Sequence, residues 1–263
     1  MEIRLVECKT AASKSGLPGL DWAVNPYRGC AHACAYCYAQ DVTRFEMSRP
    51  WGEIVEVKLN IVSKLKGELA KRAAGVYGIG TVTDPYQLVE RKYELTRGCL
   101  GLLRRYRASV SILTKSDLVL RDLELIAACN DAEVGISIGS ADQRVALVVE
   151  PGAPSPERRF HALRTLSAAG IRTYLMMAPL IPGVSDSRES IASVLEQTRD
   201  AGVKRVIWDK FNSKPIATSR LKKRLLARGL DFKPAHSASD VGQLHAILRS
   251  ECEQVDIELS DAF

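Results

Sequence analysis

Long apolar runs are missing from this sequence. Although 46% of its 263 residues are hydrophobic, no run reaches the ~18 apolar residues that a membrane-spanning helix needs. The opening stretch, MEIRLVECKTAASKSG, also lacks the apolar core of a secretory signal. These absences argue against a membrane partner and against secretion. We therefore expect a soluble, cytoplasmic protein that is long enough to bury one large core.

An even, regularly spaced set of cysteines is also missing. The chain has seven, Cys8, Cys30, Cys34, Cys37, Cys99, Cys129 and Cys252. An odd number at irregular spacing in a chain of this length does not fit a secreted disulfide framework. The cysteine content therefore favours a reducing compartment, in agreement with a cytoplasmic location.

The charge balance shows no strong excess of either sign. Lys and Arg number 37 against 31 Asp and Glu, for a net charge of +6. Such a balance tolerates an anionic partner such as nucleic acid without requiring one. Arg220–Arg224, with Arg104, Arg105 and Arg107, could form a phosphate-binding surface. The alternative for these residues is an ordinary solvated helix face.

Short β-branched runs alternate with longer amphipathic stretches after Pro26, a pattern typical of βα units. The predicted strands are Ile54–Lys58, Val76–Thr81, Ser109–Thr114, Glu133–Ile138, Arg172–Ala178 and Arg205–Asp209. The predicted helices are Asn60–Arg72, Arg91–Arg105, Leu118–Ala128, Pro156–Ala169, Arg188–Ala201, Thr218–Ala227 and Val241–Cys252. Six units without a seventh and eighth predict an α/β fold, an open partial (β/α)6 barrel of the TIM type. A ligand site belongs at the carboxyl ends of its strands.

We expect three parts along the chain. An N-terminal extension covers residues 1–24, the core barrel covers residues 25–211, and a short C-terminal helical extension covers residues 212–263 and packs on the core. The Pro- and Gly-rich stretch Glu150–Pro156 is interpreted as a loop over the barrel mouth, because the βα pattern resumes after it.

The strongest chemical signal is a C-x3-C-x2-C motif formed by Cys30, Cys34 and Cys37. Three thiolates this close in sequence can hold three irons of a cubane cluster and leave the fourth iron without a protein ligand. One alternative is a zinc ion bound by the cysteines and His32, although that spacing departs from the usual paired zinc knuckles. The other is a chance group of small buried side chains.

The motif C-x3-C-x-Tyr-C, with Tyr36 before the last cysteine, resembles the cluster loop of the radical S-adenosylmethionine (SAM) superfamily. The resemblance implies a partial barrel that carries a [4Fe–4S] cluster on Cys30, Cys34 and Cys37 as catalytic centre and metal ligands. It implies SAM chelated at the open iron. An electron from a donor such as ferredoxin or flavodoxin would cleave SAM, and the 5′-deoxyadenosyl radical would abstract hydrogen from a substrate.

Further segments resemble the spore photoproduct lyase-like branch of that superfamily, over roughly residues 14 to 210. They are Lys14–Gly19, Asn25–Cys30, Thr83–Gln87, Glu90–Lys92, Leu113–Ser116, Glu150–Pro154 and Glu157–Arg159. The chain departs from spore photoproduct lyase proper at Val82, where that enzyme has a cysteine hydrogen donor. A valine has no S–H hydrogen to donate, so we do not expect repair of thymine dimers by that route, and the substrate stays unidentified. Other candidate donors are Cys8, Cys99, Cys129, Cys252, Tyr38, Tyr77 and Tyr86.

The same resemblance implies a SAM pocket at the strand ends. Its residues would be Tyr36, Thr83, Asp84, Lys115, Ser137, Arg158 and Ala178. Arg159 is a second candidate next to Arg158. Simpler roles are open for each: a turn before Pro85 for Thr83 and Asp84, a solvated loop position for Lys115, a barrel filler for Ser137, and helix-surface charge for the arginines.

Two functions from different classes follow from these patterns. The first is a radical SAM enzyme that abstracts hydrogen from an unidentified substrate. The alternative is an iron–sulfur protein that binds or helps to repair nucleic acid, whose affinity would depend on salt. A zinc-stabilised interaction module ranks last, because the βα chain is much longer than such a module requires.

Overall fold

The computed structural model describes residues 1–71 and 75–262. Its strands are β1 (Glu2–Val6), β2 (Ala12–Lys14), β3 (Trp22–Val24), β4 (Tyr27–Arg28), β5 (Ile54–Lys58), β6 (Val76–Ile79), β7 (Ser109–Thr114), β8 (Asp131–Ser137), β9 (Arg172–Leu180), β10 (Arg205–Lys210) and β11 (Glu258–Asp261). Its α-helices are α1 (Ala39–Thr43), α2 (Ile61–Leu69), α3 (Glu90–Tyr93), α4 (Leu95–Arg105), α5 (Leu123–Ala127), α6 (Gln143–Val149), α7 (Pro156–Ala168), α8 (Arg188–Asp200), α9 (Pro215–Leu226) and α10 (Ala238–Gln254).

The main sheet has the strand order β11-β10-β9-β8-β7-β6-β3-β2. Every neighbouring pair from β3 to β11 is parallel, and β2 is antiparallel at the edge. In β7, Val110 and Ile112 are buried and alternate with half-buried residues, which fits a strand covered on one face by helices. The predicted α/β class, with an open partial barrel rather than a closed one, is confirmed.

The pairing register places the strand ends side by side. Thr114 of β7 pairs with Ile136 of β8, and Ser137 of β8 pairs with Met176 of β9. The residues that follow these pairs therefore meet at the carboxyl edge of the sheet, where a parallel sheet binds its ligands.

The first predicted strand, Ile54–Lys58, was assigned to the wrong sheet. It exists with the predicted bounds as β5, but it pairs with β1 and β4 in a separate three-stranded sheet. Its expected place in the main sheet belongs to β3, which pairs with β6. Because β3 has three residues, it is too short to show a two-residue periodicity, and no strand is predicted there from the sequence.

Several helices also differ from prediction. Predicted helix Arg91–Arg105 is divided at Glu94, where φ is +48°. The carboxylate of Glu90 accepts the backbone amides of Thr96 and Arg97 at 3.0 and 3.2 Å, so a buried side chain caps the start of α4. The stretch Leu118–Ala128 opens with a 3-10 helix, Asp117–Asp122.

The remaining helix differences concern the shortest elements and one boundary. The helices α1 and α6 were not predicted, since five and seven residues give little periodic signal. Predicted helix Asn60–Arg72 is seen as α2, and its last residue, Arg72, lies outside the described residues.

The main sheet extends beyond the expected core barrel at both ends. Its strand β3 lies before residue 25, and β11 lies within the expected C-terminal extension. The helix α10 begins with a capping box between Ser237 and Asp240 and packs on α8 and β11. Over the two described ranges, no helix combines the length and apolar character needed to cross a membrane.

Candidate active site

The three cysteines of the motif lie on an irregular loop between β4 and α1. Cys30 and Cys34 are buried, Cys37 is half-buried, and none of the three forms a disulfide. Two turns shape the loop. The amide of Ala33 donates to the carbonyl of Cys30 at 3.1 Å, and the amide of Cys37 donates to the carbonyl of Cys34 at 3.2 Å. The turns bring the thiols close enough to affect one another's ionisation.

Burial is the main influence on these thiols. It raises the pKa of Cys30 to about 12, with further contributions from the charges of Asp84 and Cys37. Burial likewise raises the pKa of Cys34 and of Cys37. Because the thiolate is the form that binds metals, a metal group on this loop must displace protons as it binds.

Two side chains from the loop after β6 hold the backbone on either side of Cys30. The Nε2 of Gln87 donates to the carbonyl of Gly29 at 3.2 Å, and its Oε1 accepts the amide of Ala31 at 2.8 Å. The Oγ1 of Thr83 donates to the same Gly29 carbonyl at 2.6 Å. Gln87 is fully buried, so the cysteine loop is anchored from within the barrel.

A second anchor comes from the end of α6 and the loop that follows it. The amide of Ala35 donates to the carbonyl of Val149 at 2.7 Å, and the amide of Gly152 donates to the carbonyl of His32 at 3.0 Å. A Cβ on Gly152 would stand 2.2 Å from the carbonyl oxygen of Ala31. Only a glycine permits so close an approach of the two backbones.

Asp84 joins the cysteine loop to the end of β7. Its carboxylate accepts the hydroxyl of Thr114 at 2.6 Å and the amide of Lys115 at 2.8 Å, and it lies 3.3 Å from Nδ1 of His32. Burial by itself raises the pKa of Asp84, but the charge of His32 and these hydrogen bonds outweigh it and lower the pKa to about 2. Asp84 is therefore ionised and held by the protein at neutral pH.

A buried charged group lies beside the loop. Glu150 Oε2 is 2.5 Å from Arg159 Nη1, while Oε1 accepts the hydroxyl of Tyr36 and lies 3.9 Å from Lys115 Nζ. Burial by itself raises the pKa of Glu150, but the charges of Arg159 and Lys115 outweigh it and lower the pKa. Two cations face one carboxylate, so the group suits an additional anionic ligand.

Hydrogen bonds connect this charged group to the ends of the next two strands. Lys115 Nζ donates to Ser137 Oγ at 2.8 Å, and Ser137 Oγ donates to the carbonyl of Ala178 at 3.3 Å. Arg159 Nη1 donates to the carbonyl of Ser137 at 3.1 Å. The Nη2 of Arg159 is buried and has no hydrogen-bond partner among the described residues. A cis peptide bond joins Ala178 to Pro179.

The structure brings most of the predicted site residues to one edge of the sheet. They are Cys30, Cys34, Tyr36, Cys37, Thr83, Asp84, Lys115, Ser137 and Ala178. Arg158 is not brought into this group: its side chain is 52% exposed and lies 2.7 Å from Asp117. The neighbouring Arg159 is the buried arginine, with 1% exposure.

Two residues of the site, Glu150 and Gln87, were missed from the sequence. Glu150 was assigned to a loop over the barrel mouth, and its one signal was a place in a stretch that resembles the lyase-like branch. Gln87 has the same kind of signal, since it ends the similar stretch Thr83–Gln87, but a glutamine near a turn is usually exposed. Their importance comes from burial, which the tertiary structure decides.

The donor set fits an iron–sulfur cluster better than a single zinc ion. Within the ranges 1–71 and 75–262, no three His, Cys, Asp or Glu side chains converge on a point where one metal ion would bind. The ligands of one zinc ion all bind the same centre, whereas cluster thiolates bind different irons and stand farther apart. His32 lies against Asp84. The carboxylates nearest the thiols, those of Asp84 and Glu150, are bound by other protein groups, so three free thiols match a cubane that keeps one iron open.

Comparison with known proteins gives a family match and several relatives. Residues 24–195 match the model of the Radical SAM superfamily. An uncharacterized protein of Methanocaldococcus jannaschii is 37% identical over 186 residues, which is 71% of this chain and 70% of that protein. An uncharacterized protein of Mycobacterium tuberculosis is 36% identical over 209 residues, which is 75% of this chain and 61% of that protein.

A solved structure is similar over nearly the whole chain. It is a variant of spore photoproduct lyase with bound AdoMet and dinucleoside spore photoproduct. The TM-score is 0.76 at 18% identity, with 99% of this chain and 82% of that chain covered. At this identity the likeness establishes a shared fold.

The buried ion pair of Glu150 and Arg159 predicts that the adjacent residues Arg158 and Arg159 contribute differently to stability. Replacement Arg159→Ala removes the nearer of the two cations from buried Glu150 and leaves Lys115, 3.9 Å away, as its remaining cation, so we expect the free energy of unfolding to fall by up to about 3–5 kcal/mol. Replacement Arg158→Ala removes an exposed pair and should cost about 0–1 kcal/mol. Urea unfolding of the two variants under anaerobic conditions measures the difference. Equal losses would contradict the role given to Glu150 and Arg159.

Proposed function

Because this chain belongs to the radical SAM superfamily, we propose that it is an enzyme that binds a [4Fe–4S] cluster on Cys30, Cys34 and Cys37 and cleaves SAM reductively. The predicted family is confirmed by the match over residues 24–195. The observation that carries the proposal is the position of three free thiols beside a buried, positively charged group at the carboxyl edge of a parallel sheet.

The chain's own residues would bind and orient the cofactors. The three thiolates hold the cluster and leave one iron for SAM. Lys115 supplies a cation for the SAM carboxylate, with Arg159 behind it, and Ser137 and the backbone of Ala178 face the nucleoside part. When bound, the cluster supplies the electron that cleaves SAM and so generates a 5′-deoxyadenosyl radical that abstracts hydrogen.

The pocket roles assigned to Thr83 and Asp84 are partly taken by the protein itself. The hydroxyl of Thr83 donates to the carbonyl of Gly29 and its oxygen accepts Nε2 of Gln87 at 2.8 Å, which leaves one lone pair of that oxygen for the SAM amino group. Asp84 orients the backbone amide of Lys115 and thereby the lysine. We propose that Asp84 acts by positioning rather than by contact, and that Tyr36 acts in the same way through Glu150.

The environment of Tyr38 bears on the substrate. Its side chain is 43% exposed, and its hydroxyl donates to the carbonyl of Thr81 at 3.0 Å, next to Val82. Tyr77 and Tyr86 are each 1% exposed, so Tyr38 is the candidate of the three tyrosines that a substrate can reach. We propose that the enzyme works without a cysteine hydrogen donor at the position of Val82. We also propose ferredoxin or flavodoxin as the class of protein that supplies the electron.

Formation of 5′-deoxyadenosine tests the proposal. Anaerobically reconstituted wild-type protein given SAM and dithionite should form it, and Cys34→Ala should lose essentially all activity because the cluster lacks a ligand. Cys129→Ala is the matched control, since Cys129 lies at the end of α5 and donates only to a backbone carbonyl. Chromatography of the quenched mixture measures the product. An iron-loaded wild type that leaves SAM intact, with an EPR signal that SAM does not change, contradicts the proposal.

The position of Lys115 predicts an effect on SAM affinity. Replacement Lys115→Met removes a charged hydrogen-bond donor, which is worth about 1.5–3 kcal/mol, so the Kd for SAM should rise by about ten- to a hundredfold. Equilibrium dialysis of cluster-loaded protein measures the change. The exposed Lys64→Met on α2 is the control and should bind SAM like the wild type. An unchanged Kd for Lys115→Met would remove this residue from the pocket.

A second candidate function, action on nucleic acid, is supported by the distribution of charge. Residues 210–233 contain eight basic residues and one acidic residue, whereas the rest of the chain has 29 basic and 30 acidic residues. The exposed members are Lys210, Lys214, Lys222, Lys223, Arg228 and Lys233. In the described part of the chain, none of them has a carboxylate within 4.0 Å.

The expected phosphate surface over Arg220–Arg224 needs correction. Arg220 and Arg224 turn inward and donate to backbone carbonyls, so Lys222 and Lys223 are the exposed cations of this stretch. The second group, Arg104, Arg105 and Arg107, is exposed at the end of α4, just before β7 and therefore at the opposite, amino edge of the sheet.

This second candidate predicts salt-dependent binding. The double variant Lys222→Gln/Lys223→Gln should weaken binding of a duplex DNA oligonucleotide and reduce the slope of log affinity against log salt by up to about 2, since each phosphate contact contributes about 0.9. Fluorescence anisotropy at several salt concentrations measures both quantities. Lys64→Gln/Lys66→Gln on α2 is the control. Wild-type affinity that does not vary with salt would dismiss this candidate.

A further inference from the structure

Arg220 joins the C-terminal part of the chain to the cysteine loop. It lies on α9, beyond residues 24–195 that the family model matches. Its guanidinium donates three hydrogen bonds to the segment that follows Cys34: Nε to the carbonyl of Ala35 at 2.9 Å, Nη2 to the carbonyl of Cys37 at 2.5 Å, and Nη1 to Oε1 of Gln40 at 3.0 Å. One of these acceptors belongs to a cysteine of the motif itself.

The rest of α9 is fastened to the same region. Asp41, four residues after Cys37, accepts the amides of Ile216 and Ala217 at 2.9 and 3.1 Å. One turn beyond Arg220, Arg224 Nε donates to the carbonyl of Val148 at 2.7 Å. The guanidinium of Arg220 is thus held in place from the helix on which it lies, with little freedom to turn toward solvent.

The positive charge of Arg220 has no carboxylate of its own. Its hydrogen-bond acceptors are neutral oxygens, and no carboxylate in residues 1–71 or 75–262 lies within 4.0 Å of it. Its charge interacts with the thiol of Cys37 and, in decreasing order, with Asp41 and the thiol of Cys34. An arginine stays charged under all ordinary conditions, so a half-buried cation lies against the backbone of the cysteine loop at Ala35 and Cys37.

We infer that Arg220 is a positioning residue that holds the cysteine loop and, by its charge, raises the reduction potential of the cluster bound there. The inference rests on the proposed function. Three thiolates around a [4Fe–4S] core give a negative centre that becomes more negative when it accepts an electron. A fixed cation hydrogen-bonded to the loop that carries these sulfurs stabilises the reduced form more than the oxidised form, and net charge and hydrogen bonding are among the properties that set such potentials.

The test separates charge from hydrogen bonding. Arg220→Gln keeps a hydrogen-bond donor without the charge, and Arg220→Lys keeps the charge without the fork of donors. Arg224→Gln is the matched control, because Arg224 lies one turn away and binds a carbonyl outside the cysteine motif. Anaerobic redox titration followed by EPR should show a tenfold lower reduction equilibrium constant for Arg220→Gln, which equals about 59 mV for one electron. Arg220→Lys and Arg224→Gln should remain close to the wild-type potential.

An iron-loaded Arg220→Gln variant at the wild-type potential overturns the electrostatic role. If Arg220→Gln takes up no iron, the Arg220→Lys variant provides the test. A cluster that loads in Arg220→Lys and keeps the wild-type potential supports the role of the charge. Failure of Arg220→Lys to load overturns that role in favour of geometry alone. Failure of the proposed function looks different, because the wild type itself would then hold no iron or leave SAM intact.

A second measurement needs no cluster. In the iron-free protein, alkylation of Cys34 and Cys37 by iodoacetamide should be about tenfold faster in Arg220→Ala than in Arg220→Gln, because both variants lack the charge and only the alanine variant also lacks a hydrogen-bond donor to the loop. Mass spectrometry of the digested protein measures the rates. Arg224→Gln should alkylate like the wild type. Equal rates in Arg220→Ala and Arg220→Gln overturn the positioning role.

Discussion

The geometry of the site depends on the ion pairs and the hydrogen bond that the buried carboxylate of Glu150 makes. The carboxylate binds Arg159 on one oxygen, while the other oxygen accepts Tyr36 from the cysteine loop and lies near Lys115 at the end of β7. Three separate parts of the chain are therefore oriented by one acidic group. A buried carboxylate is tolerated only when it is paired in this way, so the pairs that stabilise Glu150 also fix the relative positions of the loop, α7 and β7.

An irregular loop that carries three thiols needs such external support. Residues 29–38 contain no helix or strand and depend on contacts from Gln87, Thr83, Val149 and Gly152. Ordering each residue of an irregular loop costs about 1–2 kcal/mol of conformational entropy, and hydrogen bonds from buried side chains offset that cost. The result is a preorganised set of thiols, which lowers the cost of orienting a ligand when it binds.

The C-terminal part of the chain contributes to the same site. Through Arg220 and the capping of α9 by Asp41, it acts on the cysteine loop although it lies beyond the region that the family model matches. Lys115 and Arg159 add positive charge from β7 and α7, next to Glu150. Cations from several elements therefore lie near a loop of three thiols, and the site is larger than its motif.

The sequence alone determined the properties that depend on residues close together along the chain. The spacing of Cys30, Cys34 and Cys37 is local, and the bounds of β5 and β7 follow from short β-branched runs. The tertiary structure alone decided which sheet β5 joins, since pairing with β1 brings together distant parts of the chain. It also decided that Arg159, and not the adjacent Arg158, is buried. Burial and long-range pairing depend on how elements pack, and no local pattern records that.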